Sequence, residues 1–193
     1  TFEEAVSLAF TRIEEDWVPS SWKDTLSGST LNPDLSLYIH VPKFGILVDR
    51  RIVPFSSLVK EVLERIWSLG GERGWLTVNW AWKLRGFFDK LVGGIGLRRG
   101  RTHPTRLKAG DALDFWRVLL ADEKNRRLLL YAEMKLPGEA WLEFLVIPSE
   151  TGGTLYQTAT FRPTGLWGRF YWYALYPFHF LIFNQLAKRI ANG

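Results

Sequence analysis

The N-terminal part of the chain alternates between helical and turn-rich patterns. In residues 2–15, apolar positions recur three and four residues apart, which predicts an amphipathic helix. Residues 24–33 are rich in Ser, Gly, Asn and Pro and predict a linker. Residues 35–41 and 45–53 are rich in Leu, Ile and Val, so we expect one or two strands there. The linker therefore separates the first helix from the main body of the chain.

Two more helices are predicted before the pattern changes. One helix begins at Ser56 or Ser57, either of which would cap it, and ends at Gly70 and Gly71. The next helix covers about residues 80–92 and carries its aromatic residues on one face. Both helices are amphipathic, so both are expected to pack on a shared core.

Beyond these helices the apolar residues recur every second position, which is typical of half-buried strands. Short turn-rich separators lie between the predicted strands, so neighbouring strands are expected to pair antiparallel. A final helix is expected over 166–191, and its uninterrupted apolar run of about 14 residues is too short to span a membrane. The predicted strands are 97–107, 112–121, 126–136, 140–148 and 154–162.

This order of elements predicts an α+β fold. A meander of five antiparallel strands curls, and a long apolar helix can then lie across the concave side of the sheet. The fold class is therefore a curled antiparallel β-sheet wrapped around a long C-terminal helix, with two helices between the first strand and the meander. Such a helix fills the concave side only in part, so we expect a cavity lined by alternate strand residues.

The order of elements resembles the helix-grip fold of the START and Bet v 1-like superfamily. Several motifs, in order, also resemble a prokaryotic domain family of unknown function that lies C-terminal to short-chain-dehydrogenase-like NAD(P)-binding domains. The resemblance covers about residues 20–193. Its motifs are RGFFDKLVGGIGLRRGR at 85–101, GD at 110–111 with DFWRV at 114–118, AEMKLPG at 132–138 with AWLE at 140–143, and FRP at 161–163 with GL at 165–166 and YW at 171–172.

The resemblance implies a domain organisation. Residues 1–24 would be the helix and exit segment of an upstream NAD(P)-binding domain, and residues 25–193 would form the helix-grip domain. The chain begins at Thr1 and its one methionine is Met134, which favours a fragment of a longer polypeptide or a processed chain. NAD(P) is then expected in the upstream domain and no cofactor in this chain, because the glycines around Gly94 follow a helix and lack dinucleotide-binding spacing.

Composition narrows the class of protein. Hydrophobic residues make up 47% of the chain, which excludes a disordered protein. The absence of cysteine excludes disulfides, thiolate catalysis and cysteine-ligated zinc, and it suits the reducing cytoplasm, which is the expected location. No His-rich motif has the spacing of metal ligands, so no metal is expected. Ten tryptophans favour a large core or an aromatic-lined cavity.

The net charge is +5, and the excess of positive charge is concentrated in residues 90–108, which hold six cations and no acid. This stretch is interpreted as a solvated loop and strand, as an anion site, or as a docking face for a partner domain or a second copy. It lacks the interleaved Phe, Tyr or Trp side chains of nucleic-acid-binding surfaces, so nucleic acid is not an expected partner. The candidates for anion or partner binding are Arg98, Arg99 and Arg101.

The predicted hairpin between Glu133 and Glu143 offers a candidate catalytic site. If the two carboxylates share a cavity face, they need a cation between them or one of them holds a proton, which suits acid–base chemistry. Asp114 is a third candidate, and Arg117 and Lys135 are the available cations. Solvated glutamates or a structural ion pair are the alternatives.

Residues that would line the cavity come from several strands and from the last helix. His179 interrupts an apolar run, so it is either a satisfied core histidine or a polar group in the cavity. The candidate ligand-binding residues are Arg117, Trp116, Tyr131, Trp141, Gln157 and His179.

Three functions therefore remain open. The first is a binding module that holds a small apolar or amphipathic molecule for the attached NAD(P)-binding domain. The second is a cavity enzyme of the cyclase or hydrolase type that uses Glu133 and Glu143 for proton transfer. The third is a structural or interaction domain that binds the upstream domain or forms a homo-oligomer. A membrane is not an expected partner.

Overall fold

The computed structural model describes residues 40–70, 74–75 and 106–193, which all lie in the unit Ser36–Gly193. The predicted helices at 2–15 and 80–92 fall outside this range, as does most of the predicted strand at 97–107. The elements described are β1 (Leu47–Phe55), α1 (Val59–Trp67), β2 (Ala112–Leu113), β3 (Trp116–Asp122), β4 (Arg127–Ala132), β5 (Gly138–Ser149), β6 (Gly152–Pro163) and α2 (Gly165–Asn192).

The strands form one curled antiparallel sheet in the order β1-β6-β5-β4-β3-β2. Strands β2 to β6 follow one another as a meander, and β1 pairs antiparallel with β6 along its whole length. The first and last strands along the chain, β1 and β6, are therefore neighbours in the sheet. Helix α2 folds back from β6 and packs on both of them. The predicted α+β class with an antiparallel meander and a long C-terminal helix is confirmed.

The core lies on one face of the sheet, because side chains alternate between faces along each strand. Leu142 and Phe144 of β5 share this face with Leu128 and Leu130 of β4, as the register requires. Residues from α1 and α2 complete the cluster. They are Val62, Ile66, Phe183, Leu186, Ala187 and Ile190. We call this side of the sheet the helix side and the opposite side the outer face.

Two details of the prediction were wrong. The strand predicted at 112–121 is two strands, because Asp114 adopts a positive φ of 55° and turns the chain between β2 and β3. Neither Ser56 nor Ser57 caps α1, which begins after Leu58 without a side-chain cap. Ser57 Oγ instead donates a hydrogen bond to the Ala191 carbonyl, so this serine joins the two helices.

Helix α2 spans Gly165–Asn192, close to the predicted bounds. Its start is fixed against the loop between β4 and β5, since a Cβ on Gly168 would lie 2.4 Å from the Pro137 carbonyl oxygen. The Thr164 N–H also donates to that carbonyl. In the part of the chain that the structure describes, no helix is both long enough and apolar enough to cross a membrane.

Candidate ligand-binding site between sheet and helix

Glu133 and Arg117 form a closed ion pair on the outer face. Arg117 donates from Nε and Nη2 to the two Glu133 carboxylate oxygens, each at 2.9 Å. Its Nη1 donates to the Gly110 carbonyl at 2.7 Å. The Arg117 side chain is 1% exposed and that of Glu133 is 6% exposed. Each guanidinium nitrogen therefore has a partner, which is the geometry of a structural pair.

Glu143 also lies on the outer face, but the structure does not bring it to Glu133. Glu143 stands opposite Leu129, and Glu133 lies four residues beyond Leu129, or roughly 13 Å along the strand direction at about 3.3 Å per residue. The Glu143 carboxylate accepts a hydrogen bond from Arg127 Nε at 2.5 Å. The two glutamates thus belong to separate ion pairs, on the face turned away from α2.

The other aromatic candidates lie in two places. Tyr131 and Trp141 are cross-strand partners on the outer face, with ring centroids 5.7 Å apart, and the Arg162 guanidinium lies over the Trp141 ring. Trp116 lies on the helix side, on the edge-proximal strand β3. Its buried Nε1 has no hydrogen-bond partner within the described ranges.

Asp114 lies in the turn between β2 and β3. Its Oδ2 accepts a hydrogen bond from Trp75 Nε1 at 2.6 Å. Burial raises the pKa of Asp114 above its usual value, and the Trp75 hydrogen bond lowers it in part. Aspartate tolerates the positive φ of this turn better than most residues, which is a structural reason for its presence.

A different group of polar side chains lies on the helix side, beneath the middle of α2. Asp49 and Arg51 are two residues apart on β1, so they share this face with Val53 and Phe55. Gln157 of β6 stands directly opposite Arg51. These polar groups interrupt an otherwise apolar layer, and each of them has to be compensated by hydrogen bonds.

Asp49 and Arg51 pair with each other only in part. Arg51 Nη2 lies 2.8 and 2.9 Å from the two Asp49 carboxylate oxygens. Arg51 Nε is buried and has no hydrogen-bond partner among the residues that the structure describes. The Asp49 side chain is 2% exposed. Burial raises the pKa of Asp49, while the charge and hydrogen bonds of Arg51 lower it.

The side-chain amide of Gln157 also makes only part of its possible hydrogen bonds to the described residues. Gln157 is 1% exposed, and its Nε2 donates to the Phe183 carbonyl at 3.2 Å. Its Oε1 is buried without a hydrogen-bond partner in the described part of the chain. The Arg51 guanidinium lies 4.4 Å from the centre of the Phe180 ring. Arg51 and Gln157 therefore both reach the turn of α2 that contains Phe180 and Phe183.

Aromatic rings continue from this turn towards the start of α2. Trp172 stacks nearly parallel on Phe161 of β6, with centroids 5.7 Å apart. The His179 ring lies 5.9 Å from Trp172 and 5.3 Å from Phe183. The structure thus brings together Gln157 and His179, two of the predicted ligand-binding residues, with aromatic walls on both sides of the histidine.

Sequence reasoning missed Asp49 and Arg51. The available signal was their spacing, because charged residues at i and i+2 of an apolar strand share a face with Val53 and Phe55. The predicted cations Arg98, Arg99 and Arg101 lie outside the described residues. Among residues 40–70, 74–75 and 106–193, no group of three or more His, Asp or Glu could hold a metal ion.

Taken together, the described elements define a helix-grip domain, with an antiparallel sheet, a long C-terminal helix across one face, and a partly satisfied polar group between the two layers. The chain belongs to the family described as "Protein of unknown function (DUF2867)", whose model matches residues 45–186. Comparison with the curated proteins gives no match.

Solved structures with a similar arrangement include norcoclaurine synthase from Thalictrum flavum. That enzyme is 10% identical, with a TM-score of 0.44, and the match covers 79% of this chain and 91% of that one. A protein from Chromobacterium violaceum is 13% identical, with a TM-score of 0.38, over 75% of this chain and 94% of that one. A protein from Thermus thermophilus is 15% identical, with a TM-score of 0.34, over 75% and 96%.

Proposed function

We propose that this domain binds a small apolar or amphipathic molecule between the sheet and α2. The observation that carries the proposal is the pair of orphaned polar atoms on facing strands, Arg51 Nε and Gln157 Oε1. A buried polar atom without a partner costs about 1–3 kcal/mol, so a ligand or water that satisfies it is strongly favoured. Arg51 Nε is a hydrogen-bond donor and Gln157 Oε1 is an acceptor, so the polar end of the ligand has to accept one hydrogen bond and donate another.

The polar end of the ligand is a neutral group that both accepts and donates a hydrogen bond. A hydroxyl accepts from Arg51 Nε and donates to Gln157 Oε1 at the same time. A carboxylate suits the site less well, because it has no proton for Gln157 and would meet the buried Asp49 carboxylate near Arg51. The aromatic rings of Trp172, His179 and Phe183 favour a flat apolar body for the rest of the molecule.

The domain would act as the accessory part of an oxidoreductase-like protein. In this proposal an NAD(P)-binding domain of the same polypeptide, upstream of this chain, acts on the bound molecule. A hydroxyl at the polar end suits hydride chemistry, since an alcohol is the reduced partner of a carbonyl. The sequence of the complete gene tests this context, and a different upstream domain would contradict it.

The proton-transfer alternative draws no support from the geometry. Glu133 and Glu143 each pair with a different arginine on the outer face, so neither faces α2. The interaction-domain alternative rests on residues 98–108, of which only 106–108 are described. It stays a prediction, and light scattering at several salt concentrations tests it, because a charge-mediated assembly weakens as salt rises.

The binding proposal is tested with two probes that differ in one hydroxyl, 1-naphthol and naphthalene. Titration followed by tryptophan fluorescence or calorimetry should show that 1-naphthol binds at least about tenfold more tightly than naphthalene, because its hydroxyl makes hydrogen bonds to Arg51 Nε and Gln157 Oε1 that naphthalene cannot make. Gln157→Met should lower that preference, because only the hydrogen bond from Arg51 Nε remains, while leaving naphthalene binding in place. Native mass spectrometry of the freshly purified protein should in addition detect a co-purified small molecule.

Thr158→Val serves as the matched control. Thr158 is the next residue on β6 and is also buried, but its side chain lies on the outer face. Its substitution should leave the preference for 1-naphthol unchanged. Equal affinity of the wild-type protein for the two probes, or equal loss of the preference in both variants, would contradict a hydroxyl site at Gln157.

A further inference from the structure

The first half of α2 exposes an apolar surface that the ligand site does not use. Six large side chains are between 58% and 83% exposed. Large contiguous apolar patches are rare on the surface of soluble monomers, and they usually mark a site of interaction with a protein or a membrane. We call this surface the aromatic face. Its residues are Leu166, Trp167, Phe170, Tyr173, Phe178 and Leu181.

The aromatic face follows one side of the helix and then ends. Leu166, Phe170, Tyr173 and Leu181 recur at intervals of three, four or eight residues, so they form one stripe along α2. Lys188 continues the same stripe about two turns after Leu181, and the solvent side of the helix is polar from there on. The apolar exposure is thus confined to the part of α2 that precedes its polar last turns.

The segment that carries this surface has charges of one sign only. Residues 151–193 contain four cations, which are Arg162, Arg169, Lys188 and Arg189, and no acid. Arg162 pairs with Glu139 of β5, whereas Arg169 lies exposed between Trp167 and Phe170 in the sequence. Trp, Tyr and Phe side chains flanked by cations are typical of surfaces that lie in the interface of an anionic bilayer.

A second copy of the chain fits this surface less well. In a two-fold dimer the same patch meets itself, so Arg169 would approach the cations of its partner helix with no acid on either helix to pair with. An anionic lipid surface supplies the missing negative charge. We propose that the aromatic face docks the domain on the surface of an anionic membrane, with the aromatic side chains inserted at the level of the headgroups.

The experiment is co-sedimentation of the purified chain with two kinds of vesicle. One kind is phosphatidylcholine alone and the other contains phosphatidylcholine and phosphatidylglycerol at three to one. The protein should bind the anionic vesicles, and the bound fraction should fall as salt rises. The variant Trp167→Gln with Phe170→Gln should lower the affinity by about tenfold or more, since two buried rings are lost from the interface.

The matched control is Ile52→Gln with Ile147→Gln. These side chains are 57% and 47% exposed on the outer face, so the control removes exposed apolar surface elsewhere. It should bind vesicles as the wild type does. Because all four residues are exposed, circular dichroism and thermal unfolding should show folded variants.

Three results would overturn the proposal. The first is that wild-type protein binds neither kind of vesicle, and the second is that the control loses binding as much as the aromatic-face variant. The third is a dimer in light scattering that Trp167→Gln with Phe170→Gln dissociates while vesicle binding is absent. That result would assign the face to a second copy. Binding to both kinds of vesicle without salt dependence would overturn the role of charge.

Discussion

Two buried ion pairs, on opposite faces of the same sheet, differ in how completely their hydrogen bonds are made. On the outer face, each guanidinium nitrogen of Arg117 donates to Glu133 or to the Gly110 carbonyl. On the helix side, Arg51 binds Asp49 through Nη2, and within residues 40–70, 74–75 and 106–193 its buried Nε has no hydrogen-bond partner. Gln157, opposite Arg51, has an orphaned acceptor.

The difference separates a structural pair from a binding group. A fully satisfied pair fixes the local geometry, and removing one partner leaves a buried charge. An incompletely satisfied group lowers the stability of the free protein, and that loss is recovered when a ligand completes the hydrogen bonds. Burial and charge alone do not distinguish the two cases, since Arg117 is the more deeply buried arginine.

The largest expected effect is a loss of stability when the ion pair between Arg117 and Glu133 is broken. Arg117→Met leaves the Glu133 carboxylate and the Gly110 carbonyl without their donor, so we expect the free energy of unfolding in urea to fall by about 3–5 kcal/mol. Arg51→Met should cost less, because Arg51 makes fewer hydrogen bonds and Asp49 can take up a proton. A greater loss in Arg51→Met than in Arg117→Met would contradict the contrast between the two pairs.

The next effect concerns Gln157. The substitution Gln157→Met removes one hydrogen bond to the Phe183 carbonyl but also removes the orphaned Oε1, and each change is worth about 1 kcal/mol or slightly more. The unfolding free energy should therefore stay within about 1 kcal/mol of the wild type or rise, while 1-naphthol binding weakens. A large loss of stability would show that Gln157 is already satisfied in the free protein.

The smallest effect is a pH dependence at Asp49. Its pKa is raised above the usual 3.8, chiefly by burial, so the folded state binds the proton more tightly than the unfolded state. The stability from this group is fully present below pH 3.8 and is lost as pH rises through the raised pKa. Urea unfolding should show that Asp49→Asn loses less stability than the wild type as pH rises above 3.8.

Asp122→Asn is the control with the opposite sign. Hydrogen bonds from Asn125 hold the pKa of the exposed Asp122 carboxyl below 3.8, so its stabilising effect is present above that pH and is lost as pH falls. The two variants should therefore depart from the wild type in opposite directions between acidic and neutral pH. The same direction for both would contradict the pKa shift assigned to Asp49.

The fold was predictable because its elements repeat simple patterns. Alternation of apolar residues located β4, β5 and β6, and the long apolar run located α2 within a residue of its bounds. The turn at Asp114 was missed because a two-residue turn leaves the period of two unchanged on either side of it. The Ser57 hydroxyl was assigned to a cap, whereas it bonds to Ala191, a residue 134 positions away that local pattern does not reach.

The site was less predictable than the fold. Glu133 and Glu143 do share one face of the sheet, but which residues stand opposite each other depends on the register, which puts Leu129 opposite Glu143. Which face of the sheet receives α2 is a tertiary fact, and it decides that Arg117, Tyr131 and Trp141 lie on the outer side. His179 was chosen as a candidate because a polar residue in an apolar run is visible in the sequence, and Gln157 because its predicted strand could face the helix.

The most direct test of the binding account is the arginine Nε–H region of the ¹H–¹⁵N spectrum, recorded with and without 1-naphthol. Arg51→Lys and Arg117→Lys assign the two signals by their disappearance. We expect 1-naphthol to shift the Arg51 Nε–H signal and to leave that of Arg117 in place. A bound probe that leaves the Arg51 signal unmoved, or that shifts only the Arg117 signal, would contradict the account.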